Sequence, residues 1–352
     1  MYLQYLNYFR GFAIFMIVMG HSFAVTNFLN GSMIDMEPFY RKFIFVAVNG
    51  GTSLFVFISG FLFHHIFYKR GFNFKKFMIN KCKNVFMPYT VVVIPALIMI
   101  LQHDSIKGFI LQDEIVKIIL TYLSGTALSS TWYIPFALCL FLASPLFIKF
   151  IEMKNFKKSI IIFGLLLSTI IQRPIHDLTL NVFQAFLYFS PVYCLGIYFS
   201  QNKEKLIDMI MKNFKLIFSM WIFMILIQVF LNQCENMHKP LLAFNGFDLI
   251  IIQKSVMCFV FLGIFYKLQN SKFLKIQKCF EILADYSFPI FFIHNYFVMF
   301  FFPEILKSLN ISLRLGVIGS FAFGIVVCIL SIVVAYIIKS IFKNKSRMVI
   351  GG

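Results

Sequence analysis

Two ionisable residues in the first apolar stretch pose the chemical question. The segment reads Tyr8-Phe-Arg10-Gly-Phe-Ala-Ile-Phe-Met-Ile-Val-Met-Gly20-His21-Ser22. On a helix, the step from Arg10 to His21 is three turns plus about 20°, and about 16 Å along the axis. The two side chains therefore share one face. A guanidinium is a planar fork for phosphate or carboxylate. An ionisable imidazole at membrane depth is costly and is a functional candidate by default. The competing readings are that Arg10 reaches lipid phosphate and that His21 satisfies a neighbouring helix. Gly11 and Gly20 flank the pair and let a helix or a ligand approach the backbone. A second deep histidine lies in Tyr286-Ser-Phe-Pro-Ile-Phe-Phe-Ile-His294-Asn295. For His294, bonding across helices competes evenly with chemistry. Lys254 is expected to snorkel outward.

The elements that position these groups follow from composition. Of 352 residues, 60% are hydrophobic and 13% charged, against about 25% charged in soluble domains. That excludes an ordinary soluble enzyme, a disordered chain and a disulfide scaffold. Ten stretches approach the ~20 apolar residues that a spanning helix needs. They lie near 8–28, 43–67, 86–103, 131–150, 158–173, 182–200, 214–232, 247–267, 286–303 and 314–340. The expected fold is an all-α integral membrane protein, a bundle of about ten transmembrane helices. It is expected as a single domain over 1–345 with a short tail at 346–352. The first stretch has no small-residue cleavage site and is expected to remain as a span. Asn49-Gly50-Gly51-Thr52-Ser53 and Ser59-Gly60 interrupt the second stretch with small residues suited to close helix packing.

The net charge of +18 is mostly topological. Most of the 32 basic residues fall in alternate loops, among them Lys69, Arg70, Lys75, Lys76, Lys81 and Lys83 between the second and third stretches. Positive loops stay in the cytoplasm, so both termini are expected there. Anionic lipid is an expected contact and nucleic acid is not an expected partner. The seven cysteines show neither a disulfide framework nor metal-ligand spacing.

In this order the motifs resemble the membrane acyltransferase-3 family. Arg10-x10-His21-Ser22 is similar to its first-helix signature. Gly51-Thr-Ser-Leu-Phe-Val-Phe-Ile-Ser59-Gly60-Phe-Leu is similar to its Phe-Phe-x-x-Ser-Gly-Phe element. Lys81-Cys-Lys83-Asn84-Val-Phe-Met-Pro88-Tyr89 resembles its basic run ending in Pro-Tyr, with Lys81 and Asn84 where the family usually carries arginines. Thr131-Trp132-Tyr133 and Tyr286-x7-His294 resemble its Trp-Tyr and Tyr…His elements.

The resemblance implies an O-acyltransferase, nearest to bacterial sugar O-acetylases. It implies acyl-CoA as donor substrate with no bound cofactor or metal, a saccharide acceptor, and a multi-pass place in the bacterial inner membrane. It further implies His21 and Arg10 as catalytic residues. Arg10, Arg70, Lys75, Lys76, Lys81 and Lys83 would bind the donor, with Ser22, Ser59, Trp132, Tyr133, Tyr286 and His294 in support. Asp35 or Glu37 would orient the imidazole or the acceptor. His21 as base and His21 as acyl carrier remain open. The alternative is an exporter or flippase of a surface polysaccharide or its lipid-linked precursor, which should show several charged residues across the bilayer.

Overall fold

The computed structural model describes residues 3–28, 39–105, 111–175, 182–234, 237–308 and 316–351. Among the described residues there is helix and loop, with one isolated bridge between Arg173 and His238. In chain order the helices are α1 (Gln4–Phe28), α2 (Phe39–Val48), α3 (Thr52–Leu62), α4 (Phe74–Lys81), α5 (Met87–Ser105), α6 (Leu111–Ser124), α7 (Tyr133–Leu142), α8 (Ser144–Glu152) and α9 (Lys157–Ile171). They continue with α10 (Val182–Gln201), α11 (Lys203–Lys212), α12 (Phe214–Phe230), α13 (Ile250–Leu268), α14 (Leu274–Asp285), α15 (Ser287–Tyr296), α16 (Phe302–Ser308), α17 (Val317–Phe342) and α18 (Ser346–Ile350).

Seven segments among the described residues are long and apolar enough to cross a membrane: Gln4–Val25, Phe39–Tyr68, Phe74–Leu101, Val182–Gln201, Ile250–Leu268, Ser287–Ile305 and Val317–Ile350. Two bent pairs, α7–α8 at 55° and α11–α12 at 80°, raise the number to nine. The remaining expected stretch, 158–173, is α9. Its 15 residues rise about 22 Å at 1.5 Å each, short of a hydrocarbon core of about 30 Å. The bends have local causes. Pro145 stands in the first turn of α8, where a missing N–H costs nothing. The Asn213 amide donates to Met209 O at 3.0 Å and closes the last turn of α11. Large apolar side chains on α9 and α17, such as Phe163, Ile318 and Ile329, point outward and are mostly exposed, as a bilayer-facing surface requires.

α1 is packed against α3, α13, α14, α15 and α17. Glycines set the closest approaches. A Cβ on Gly11 would run into the Phe280 carbonyl of α14, and a Cβ on Gly60 into the Tyr193 carbonyl of α10. Gly196 of α10 meets Phe57 O of α3 in the same way. The small residues at Ser59-Gly60 therefore do serve a helix crossing.

The second expected span is interrupted without a sharp bend. α2 ends at Val48 and α3 begins at Thr52. Between them Gly50 adopts φ +83°, which glycine tolerates without steric cost. Asn49 Oδ1 accepts the Gly50 N–H at 2.9 Å. Lys254 of α13 is fully buried and donates to Val46 O at 3.1 Å and Ala47 O at 2.7 Å. It caps carbonyls that the helix end leaves over, rather than snorkelling outward as its sequence position suggests. Gly51 presses on α1, where an added Cβ would stand 3.1 Å from Ile17 N.

Candidate active site

The broken span opens beside His21. His21, partly exposed, lines a cavity of about 250 Å³ with Gly20 of α1, Asn49-Gly50-Gly51-Thr52 of the break, Ser129 and Trp132 before α7, and Arg173 and His238. Nothing stands within 4 Å of a Cβ built on Gly20. Of the two glycines flanking the motif, Gly11 admits a helix and Gly20 leaves room in the cavity.

A chain of hydrogen bonds sets the proton on His21. A carbonyl only accepts, so Ser130 Oγ donates to Phe291 O at 3.3 Å. Ser130 must then accept from Asn295 Nδ2, its neighbour in the next link. That orients the amide and leaves Oδ1 to accept from Ser129 Oγ at 2.9 Å. Ser129, its proton committed, accepts from His21 Nδ1–H at 3.2 Å. A neutral His21 is thus held as one tautomer, with the lone pair on Nε2. The loop that delivers both serines is fixed by Thr131. Its Oγ1 donates to Gly125 O at 2.7 Å and accepts from Leu128 N–H at 3.1 Å.

His294 is fully buried, its ring centroid 5.3 Å from that of His21. Its Nδ1–H meets Ile290 O at 2.8 Å, so its lone pair is also on Nε2, which has no hydrogen-bond partner among the described residues. Trp132 stacks on Phe189 of α10 at 5.9 Å and walls the cavity. Tyr133 OH lies 3.4 Å from Ser59 Oγ. Beneath His21, between Ile17, Phe55, Tyr133 and Phe291, a recess of about 20 Å³ remains, enough for roughly one water.

Arg10 lines a different cavity, of about 320 Å³, with Asn7, Ile58, Leu62, His65 and Arg70. The two large cavities share no lining residue. The helical stripe predicted from spacing is present, but it is closed between its ends. Ile14 and Ile58 are buried there and Tyr133 meets Ser59 across it.

The other expected donor residues are placed differently. Arg70 is exposed and joins Arg10. Lys75 and Lys76 are exposed in the first turn of α4, which Asn73 caps by accepting Lys76 N–H at 2.9 Å. Lys83 is exposed within a π-helical turn over 82–86 and lines neither cavity. Lys81 sits over the rings of Phe67, Phe77 and Phe141 at 4.6–5.3 Å, which makes it a packing cation. Ser22 is buried against α17, where a Cβ on Gly324 would stand 3.2 Å from its Oγ. Tyr286 lies under Lys339 Nζ at 4.1 Å, eight residues or about 12 Å before His294 along its helix. Neither reaches the His21 cavity. Asp35 and Glu37 lie outside the described residues.

Several site residues are visible only in the structure. Asn295 carried a signal, being a second polar residue at depth beside His294. Ser129 carried none, because it reaches His21 from a loop. Arg173 reads in sequence as a loop charge. The segment 237–249 buries it. Arg173 N donates to Met237 O at 3.2 Å and Lys239 N to Arg173 O at 3.1 Å. Gln172 Nε2 donates to Asn245 O and Gly246 O, Gln184 Nε2 to Lys239 O, and Asp248 N to Thr169 O.

A family model described as an acyltransferase domain matches residues 3–339. The chain belongs to the acyltransferase-3 family. No curated protein and no solved structure matches it. This acyltransferase-3 chain is a multi-pass membrane acyltransferase. Both cavities lie inside the matched residues, and so does the chain of hydrogen bonds that ends on His21.

Proposed function

We propose that this acyltransferase moves an acyl group, in the first instance acetyl, from acyl-CoA to a hydroxyl of a cell-surface saccharide. The observation that carries the reading is the chain of hydrogen bonds that ends on His21 Nδ1. A base needs its lone pair turned to the reacting hydroxyl and its N–H anchored elsewhere, and the Ser129–Asn295–Ser130 chain supplies the anchor.

The basic loops support a cytoplasmic position for the Arg10 end and both termini. Counting α9 as a short fifth crossing gives ten spans in a bacterial inner membrane. The phosphates of CoA dock at Arg10 and Arg70, an arrangement suited to forked contacts, in the field of Lys75, Lys76 and Lys83. The pantetheine arm runs along α1 toward His21 once the constriction at Ser59–Tyr133 parts. The acceptor hydroxyl enters the cavity on the opposite side. His21 Nε2 takes its proton as the oxygen attacks the thioester carbonyl, a contribution of about 10²–10⁴-fold. The tetrahedral intermediate collapses with cleavage of the C–S bond. The imidazolium returns the proton to the departing thiolate, giving the ester and free CoA. His294 shields one side of His21 from bulk water.

Purified protein in nanodiscs, given acetyl-CoA and surface glycan, is expected to release one CoA per ester formed, read by thiol titration and mass spectrometry. Glycan translocation without CoA release would point to an exporter instead.

A further inference from the structure

The His21 cavity carries a charge that the transfer chemistry does not use. Four aspartate, glutamate, lysine and arginine side chains are buried among the described residues: Arg173, Lys239, Lys254 and Asp248. Three are cations and one is an anion. Lys254 is spent on the carbonyls of Val46 and Ala47, and Lys239 on those of Leu241 and Ala243. Asp248 accepts from Tyr188 OH at 2.7 Å and Ile250 N–H at 2.9 Å; its charge also lies within electrostatic reach of Arg173, and so does the like charge of Lys254. Arg173 is 4% exposed. Its guanidinium lies over the rings of Phe189 and Tyr188 at 5.2 and 5.8 Å, and its Nε and Nη2 have no hydrogen-bond partner among the described residues. A buried charge with unmet donors is costly unless something pairs with it.

Across the same cavity stands the first turn of α3, an 11-residue helix whose Gly51 and Thr52 line the space. A helix N-terminus favours negative charge. Two independent features thus face one volume, and both ask for an anion.

We propose that the cavity holds an anionic group of the acceptor saccharide, a carboxylate or a phosphate, between Arg173 and the start of α3. The inference rests on the reading of this cavity as the acceptor site. The anion serves as a handle. A planar guanidinium seated on two aromatic rings fixes two oxygens in one orientation and presents a neighbouring hydroxyl to His21 on the same wall. The acceptor class is therefore acidic sugars or sugar phosphates rather than neutral ones.

The test uses Trp132 as reporter. The chain has two tryptophans, so Trp221→Phe leaves the one in the cavity wall. The full chain in phosphatidylcholine nanodiscs is titrated with methyl β-D-glucuronoside, glucose 1-phosphate and methyl β-D-glucoside, following fluorescence. The two anionic probes are expected to saturate at concentrations at least tenfold below the neutral one. Arg173→Gln should abolish that preference, and Arg173→Lys should keep part of it. Gly20→Leu, whose side chain enters the open space beside His21, should block all three probes. Equal binding of neutral and anionic probes would overturn the proposal, as would unchanged anion affinity in Arg173→Gln. Displacement of the glucuronoside by CoA would reassign the site to the donor and overturn it. So would competition by phosphatidylglycerol added to the disc, which would assign it to lipid. The signal does not depend on turnover. Arg173-dependent anion binding in a protein that releases no CoA would therefore sink the transfer reading and leave the anion site standing.

Discussion

At the level of single residues, one carbonyl decides a proton four hydrogen bonds away. Phe291 O can only accept, and from that point Ser130, Asn295, Ser129 and His21 follow in order. Asn295→Ala removes the middle of the chain and frees the ring of His21 to turn or change tautomer. The lost positioning is worth about 1–2 kcal/mol, or about tenfold in kcat. Steady-state kinetics should show kcat falling while the KM for acyl-CoA holds. An unchanged kcat would mean that Asn295 packs without setting the tautomer. Arg10 and His21 were legible in the sequence because helical periodicity alone puts them on one face. His294 was legible because a histidine is conspicuous in an apolar run. Ser22 shows the limit of adjacency: one residue after His21 is 100° around the helix, and it packs on α17. Lys81 shows the limit of counting charge, since its ammonium is absorbed by three aromatic rings.

At the scale of elements, the site is built by an interruption. An unbroken second span would close the space beside His21. The helix is interrupted at 49–51 instead, while Phe39–Tyr68 still runs as one crossing segment, and Lys254 holds the interruption from α13. Lys254→Met leaves the carbonyls of Val46 and Ala47 without donors, at a cost of about 1–3 kcal/mol. It is expected to lower the melting temperature and raise amide exchange across 49–53 before the rest of α3. Exchange unchanged in that segment would show that the break holds itself. Sequence indicated small residues here and close packing, which Gly60 and Gly51 both display. It did not indicate that the span breaks, because a glycine pair in an apolar run reads equally as a tight crossing or as a turn. The partner that decides, Lys254, lies about two hundred residues along the chain.

At the level of the whole molecule, the apolar composition describes a multi-pass membrane protein. Membrane burial was legible throughout, since long apolar runs have few other uses. The number of crossings was less so, because α9 is short and two helices bend. The cavities are made by distant segments, which no local pattern records. The topology has its own test. In a cysteine-free background, Leu242→Cys, on the exposed loop near Arg173, and Lys154→Cys, between α8 and α9, should react with an impermeant maleimide from opposite sides of the membrane. Labelling from the same side would contradict the orientation proposed for both cavities.

His21 as the base for acyl transfer is put to the test by assaying His21→Ala at matched protein level in nanodiscs with acetyl-CoA and acceptor glycan. Ester formation should fall by at least about 100-fold, with acetyl-CoA still binding at Arg10 and Arg70. Transfer at the wild-type rate would contradict it.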